Sequence, residues 1–313
     1  MSADEGSAID LAELAKRVSN WGRWGPDDQR GTLNLVDDAA VGRGIACARR
    51  GAVFSLAIPF DEDGPQLGNI EGRNNPRTTR HIVNMAWAGG DSAATWNDDH
   101  LDLGTQAATH WDTLAHCSYE GLLYNGVSNT VVTAEEGATR FGVETIGPVV
   151  GRAIMLDVAR ALGYDEHLPP TYEIIAADLD AAARIDVDIE PGDILLVRTG
   201  QMAVWRRDGR DPYSQKSPGL GVDTVSWLRE HDVGAVATDT LTFEPMDFED
   251  TDYSFPTQKI LLRDVGLALG QLWDLDALAA DCATDGRHGV LLVANPLPVT
   301  RGIGGPVAPV AIK

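Results

Sequence analysis

Short apolar, β-branched runs alternate with helical segments along almost the whole chain. Such runs predict buried strands, and the periodic stretches between them predict helices. The predicted strands cover residues 53–58, 149–156, 194–197, 235–237 and 290–293, and the predicted helices among them cover 176–183, 222–230 and 275–283. Because no repeat or linker interrupts this alternation, we predict an α/β fold with a mixed sheet, in a single domain over residues 1–313. Residues 1–50 are expected to form a helical extension packed on it.

The charge balance excludes several classes of protein. Asp and Glu total 47 against 25 Lys and Arg, which gives a net charge of −22. A surface this acidic repels phosphate backbones, so no nucleic-acid partner is expected. No apolar run approaches the roughly 18 residues that a membrane span needs, and the acidic first residues lack the pattern of a signal peptide. We therefore expect a cytoplasmic protein with no membrane partner. Its three cysteines form no C-x-x-C pair, which argues against a cysteine zinc site.

One segment, Q-A-A-T-H-W-D-T-L-A-H, concentrates chemically active side chains. It holds Gln106, His110, Asp112 and His116 within eleven residues. On an extended segment His110 and Asp112 point the same way, so both can reach one metal ion or one substrate. His116 can approach from a helical turn and act as a general acid or base. Spacing alone favours equally a hydrogen-bonded His–Asp pair that only stabilises a loop.

This segment resembles the motif H-x-G-T-H-x-D-x-P-x-H of the cyclase family, whose members are similar to bacterial kynurenine formamidase and isatin hydrolase. Further segments match longer family members in the same order: residues 24–28, 31–35, 124–126, 191–193, 196–200 and 296–300. The resemblance implies an α/β fold around a β-barrel-like core. It also implies assembly into a homo-dimer or homo-tetramer.

The resemblance assigns roles residue by residue. It implies that His110 and Asp112 match metal ligands and that His116 matches the acid–base residue. Gln106, Gln258 and Gln271 stand where the family has His, His and Glu. Because a neutral carboxamide is a poor ligand for zinc or manganese, we expect either no cofactor or one weakly held divalent metal. If an ion is bound, Gln106, His110 and Asp112 are its expected ligands.

The predicted function is that of a small-molecule enzyme that hydrolyses a C–N bond other than a peptide bond, in an amide, formamide or lactam. His116, His110 and Asp112 are the predicted catalytic residues. The predicted substrate-binding residues are Gln106, Gln258, Gln271, Trp87 and Trp96, with the two tryptophans as walls for a flat substrate. Two alternatives remain open: a metal-independent cyclase, dehydratase or isomerase in which the glutamines bind the substrate, and a binding protein that has lost catalysis.

Overall fold

A computed structural model describes residues 9–86, 95–250 and 254–313. In these ranges the α-helices are α1 (Leu11–Val18), α2 (Asp38–Cys47), α3 (Val158–Ala161), α4 (Ala176–Ala182), α5 (Gln201–Asp208), α6 (Arg210–Gln215), α7 (Thr224–Glu230), α8 (Pro256–Ile260) and α9 (Asp276–Asp285). A π-helical turn, Leu261–Val265, continues α8. None of the described helices is both long and apolar enough to cross a membrane.

The strands of the same ranges are short except for one hairpin and the central strand β7. They are β1 (Val53–Ser55), β2 (Arg77–Ala86), β3 (Thr95–Asp102), β4 (His110–Asp112), β5 (Val132–Thr133), β6 (Gly137–Ala138), β7 (Val150–Asp157), β8 (Glu173–Ile174), β9 (Ile194–Arg198), β10 (Lys216–Ser217), β11 (Gly219–Leu220), β12 (Ala235–Thr238), β13 (Met246–Asp247), β14 (Ala268–Gln271), β15 (Gly289–Val293), β16 (Gly304–Pro306) and β17 (Val310–Ile312).

Nine of these strands form one mixed sheet in the order β1-β17-β15-β7-β9-β12-β14-β4-β16. Strands β7, β9, β12 and β14 are parallel neighbours, and antiparallel pairs extend the sheet on both sides. The sheet is curled into a half-barrel. The expectation of an α/β fold with a mixed, barrel-like sheet is therefore confirmed.

Most residues of the central strands are apolar because helices cover both faces of the sheet. In β9, Leu195 and Val197 enter one core cluster, whereas Ile194 and Leu196 enter another on the opposite face. Helices α1, α4, α7 and α8 contribute to the first cluster, and α9 contributes to the second. Helix α2 packs on β7 and β15. The domain limits 1–313 stay a prediction.

A glycine turn positions β9. Gly192 has a φ of +84°, and a Cβ atom built there would lie 2.0 Å from the Leu35 carbonyl oxygen. The turn therefore requires glycine twice, for its backbone conformation and for its close approach to the N-terminal extension.

Gly192→Ala should destabilise the protein more than a glycine substitution that changes the backbone preference alone. Gly163 supplies the control, because its φ is +82° and nothing lies within 4 Å of the position that a Cβ atom would take there. We expect Gly163→Ala to lower the free energy of unfolding by about 1 kcal/mol, and Gly192→Ala to lower it by about 1–3 kcal/mol more. Urea unfolding measures both, and equal losses would contradict the steric argument.

Candidate active site

The centre of the candidate site is the short strand β4. It lies between β14 and β16, with His110 opposite Gln271 in the antiparallel register. His110 and Asp112 are fully buried on one side of the strand, and the His110 Nε2 atom is 3.4 Å from the Asp112 Oδ1 atom. Trp111 lies between them in sequence and packs instead on the Trp273 ring, 4.9 Å away between centroids. The extended geometry thus places His110 and Asp112 together.

Two glutamine side chains hold the Asp112 carboxylate. The Nε2 groups of Gln258, on α8, and Gln271, on β14, each donate to the Asp112 Oδ2 atom at 3.1 Å. Burial would raise the pKa of Asp112, but His116, His110 and Arg73 outweigh it and lower that pKa to about 2. Asp112 is therefore a carboxylate across the physiological pH range.

His116 lies in a turn just after β4 and is partly buried. Its Nε2 atom is 3.7 Å from the Asp112 Oδ1 atom and 3.4 Å from the Arg73 guanidinium. Its Nδ1 atom is 3.4 Å from the Gln106 amide nitrogen. Burial lowers the pKa of His116, and the positive charge of Arg73 lowers it further, although Asp112 opposes both effects. The imidazole is therefore neutral near pH 7 and able to accept a proton.

A cavity of about 390 Å³ opens beside His116. Most of the surface that lines it is apolar, and a few polar groups reach it. The described lining residues are Ile70, Arg73, His116, Cys117, Thr242, Met246, Phe248, Phe255, Gln258, Lys259 and Gln271. Burial raises the pKa of the Cys117 thiol, so this side chain is not a thiolate nucleophile. An apolar chamber with a few convergent polar groups is typical of a small-molecule site.

The structure brings most of the predicted site residues together: Gln106, His110, Asp112, His116, Gln258 and Gln271. It does not bring Trp96 there, because that side chain lies on the β2–β3 hairpin, is 53% exposed and is not part of the cavity lining. Trp87 lies outside the described residues.

Sequence reasoning missed three charged residues near the site, namely Arg73, Glu244 and Lys259. The Glu244 carboxylate accepts the backbone N–H groups of Thr257 and Gln258 and so fixes the start of α8. No short-range spacing links Arg73 to His116, because the two are brought together by a loop that precedes the hairpin. For Lys259, its position next to Gln258 was a signal that could have been used.

Comparisons with known proteins agree with this architecture. A family model named Cyclase, described as "putative cyclase", matches residues 54–245. A crystal structure of a cyclase is similar over 96% of this chain and 99% of that one, with 34% sequence identity and a TM-score of 0.85. No curated protein matches significantly.

Isatin hydrolases share the fold at lower identity. Isatin hydrolase A from Ralstonia solanacearum is 19% identical over 88% of this chain and 97% of its own, with a TM-score of 0.60. An isatin hydrolase bound to the product analogue thioisatinate is 18% identical over 83% of this chain and 91% of its own, with a TM-score of 0.56. The fold and the site together describe an α/β protein whose pocket combines histidines with a buried carboxylate. The chain belongs to the cyclase family.

The residues present do not fit the metal site that the resemblance implied. Catalytic zinc sites use three good protein ligands, but no group of three His, Cys, Asp or Glu residues able to hold a metal occurs within the described ranges. The His110 Nε2 and Asp112 Oδ1 atoms form no hydrogen bond there and supply only two such ligands. The Arg73 guanidinium beside His116 adds a fixed positive charge that repels a cation.

The family's ligand set should be recoverable in this fold. Gln106→His, Gln258→His and Gln271→Glu would surround His110 and Asp112 with three better ligands, the last of which also adds a negative charge. We expect the native protein, purified without added metal, to hold well under one zinc or manganese per chain. The triple variant should bind zinc at least roughly 100-fold more tightly, as measured by isothermal titration.

The control adds Asp112→Asn to the triple variant, which removes a ligand around which the site was rebuilt. That quadruple variant should lose most of the gained affinity. A stoichiometric ion in the native protein that survives dialysis would contradict the argument from the donor set.

Arg73 should control the proton affinity of His116. We expect the pKa of His116 to lie below its ordinary 6.5 and to rise in Arg73→Met, because a neighbouring positive charge is removed. Activity that needs the neutral imidazole should therefore persist to lower pH in the native protein than in the variant. NMR titration of the imidazole signals measures this, with His116→Gln to assign the resonance. Arg301→Met, at an exposed ion pair, should leave the titration unchanged.

Proposed function

We propose that this protein is an enzyme that hydrolyses a C–N bond of amide, formamide or lactam type in a small organic molecule. The observation that supports this most is the position of His116 at the wall of an apolar cavity, with Asp112, Arg73 and Gln106 around its ring. Support also comes from the isatin hydrolases that share the fold, because those proteins hydrolyse an amide C–N bond.

The groups present can carry out the reaction by acid–base chemistry. His116 takes a proton from a water molecule while the water oxygen attacks the substrate carbonyl carbon. The Arg73 guanidinium, close to the His116 ring, stabilises the negative charge that develops on the carbonyl oxygen. His116 then returns the proton to the departing nitrogen, the C–N bond breaks, and an acid and an amine are released. Asp112 stabilises the imidazolium that forms between the two steps.

A second candidate is a metal-independent cyclase, dehydratase or isomerase. It is favoured by one observation: the described donor set falls short of a metal site, while His116 and Arg73 remain able to move a proton and stabilise an oxyanion. In this structure the Nε2 groups of Gln258 and Gln271 donate to Asp112. These side chains can therefore contact a substrate only through the donor and acceptor positions that Asp112 does not use.

His116→Gln should lower kcat/KM on a formanilide or isatin-type probe by roughly 100-fold or more, because it removes the group that transfers the proton. The control is His288→Gln, since His288 also pairs with a carboxylate, Asp186, but does not line the cavity. It should keep native activity. A folded and fully active His116→Gln variant would remove His116 from the mechanism.

Isotope incorporation separates hydrolysis from its alternatives. Turnover in ¹⁸O-labelled water should place one labelled oxygen in the acid product if the C–N bond is hydrolysed. Turnover without label would favour cyclisation, dehydration or isomerisation. Binding of the probes without turnover would favour a binding protein.

The predicted homo-dimer or homo-tetramer and the cytoplasmic location stay predictions. We propose the oligomer partly because every residue of β3 is exposed and the β2–β3 hairpin forms a sheet of its own. An isolated two-stranded hairpin is marginally stable in water unless it packs on another surface.

A further inference from the structure

The cavity beside His116 is lined by two positively charged side chains, in a strongly acidic protein. Arg73 and Lys259 line it, and its described lining contains no Asp or Glu. The chain as a whole carries 47 acidic and 25 basic residues. On average, a patch of this surface therefore holds more carboxylates than cations. The presence of two cations and no carboxylate in the described lining of the cavity needs a specific explanation.

Lys259 differs from the other lysines in its partners. Lys16 pairs with Glu13 at 2.7 Å, Lys216 with Asp247 at 2.9 Å, and Lys313 with Asp285 at 2.7 Å. The Lys259 ammonium forms no ion pair or hydrogen bond with a residue in the described ranges, although the side chain is partly buried. Nor does the Arg73 guanidinium form an ion pair with a described residue.

Lys259 also borders a second groove, between α1 and the turn after α8. The charged residues of that groove already have partners, since Arg263 pairs with Glu120 at 3.0 Å and with Asp264 at 3.0 Å. Beside the cavity, by contrast, the buried carboxylate of Asp112 is engaged through its Oδ2 atom by two glutamine amides. The cavity is therefore the side on which an anionic ligand would meet unpaired cations.

The remaining walls define the rest of the ligand. Ile70, Met246, Phe248 and Phe255 present aliphatic and aromatic surface to the cavity. Such walls favour a flat or bulky apolar body, and a cation at the edge of low-dielectric surface attracts an anion more strongly than it would in water.

We propose that the substrate is an apolar carboxylic acid whose carboxylate is bound by Lys259, while its reacting carbonyl group lies between His116 and Arg73. This inference rests on the proposed function for the reacting end of the molecule. The recognition of the carboxylate by Lys259 is a binding property that can be measured without turnover.

The experiment compares 2-naphthoate with 2-naphthamide, which have the same apolar body and differ in charge. Isothermal titration should show that the native protein binds 2-naphthoate roughly tenfold more tightly, because a charge-assisted hydrogen bond is worth about that ratio. Lys259→Met should remove most of this preference without changing the affinity for 2-naphthamide. Lys259→Arg should retain the preference, and Lys216→Met, at a paired surface lysine, should leave it unchanged.

Rising salt should weaken the binding of 2-naphthoate and not that of 2-naphthamide. Equal affinities for the two ligands in the native protein, or an unchanged preference in Lys259→Met, would overturn the proposal. Tighter binding of 2-naphthyl phosphate than of 2-naphthoate would overturn the assignment of a carboxylate. If 2-naphthoate binds as expected but formanilide and lactam probes are not turned over, the proposed hydrolysis fails and the anion site stands.

Discussion

The site depends on one buried charge, the carboxylate of Asp112. An ionised group in the protein interior is strongly destabilising unless hydrogen bonds and opposite charges compensate it. Here Gln258 and Gln271 bond one oxygen, and His110 and His116 lie beside the other. Because these partners come from β4 with the turn that follows it, from β14 and from α8, compensating one carboxylate joins three separate segments. The cavity lies where those segments meet.

Neutral amides stand where the resemblance implies metal ligands, and this changes how such a pocket can work. A metal ion would polarise a carbonyl group and lower the pKa of water. In this chain the positive charge beside His116 belongs to the Arg73 guanidinium, which is permanently protonated. Burial lowers the pKa of His116, and the charge of Arg73 lowers it further. In the proposed hydrolysis, Arg73 therefore both favours the neutral base and faces the developing oxyanion. The glutamines stabilise Asp112 without adding negative charge that would offset Arg73.

The cavity also shows how local and global charge can differ. A net charge of −22 keeps the surface acidic, and the ionic partners of most basic residues follow from that excess. Arg73 and Lys259 line the cavity together with apolar walls, and its described lining contains no Asp or Glu. In the proposed binding mode, the acidic surface repels a small anion and the cationic lining of the cavity attracts it. This makes the cavity more specific for the anion than the surface of a generally basic protein would be.

The sequence alone determined the elements with strong periodicity and the residues of one short motif. Strands β7, β9, β12 and β15 and helices α4, α7 and α9 lie within a few residues of their predicted positions, because burial on a fixed face imposes a regular pattern. His110 and Asp112 were predicted to point together for the same reason. Only the tertiary structure decided that Arg73 and Lys259 face His116's cavity and that Trp96 does not. Those contacts join distant segments, and no local periodicity records which loops and helix ends the chain brings together.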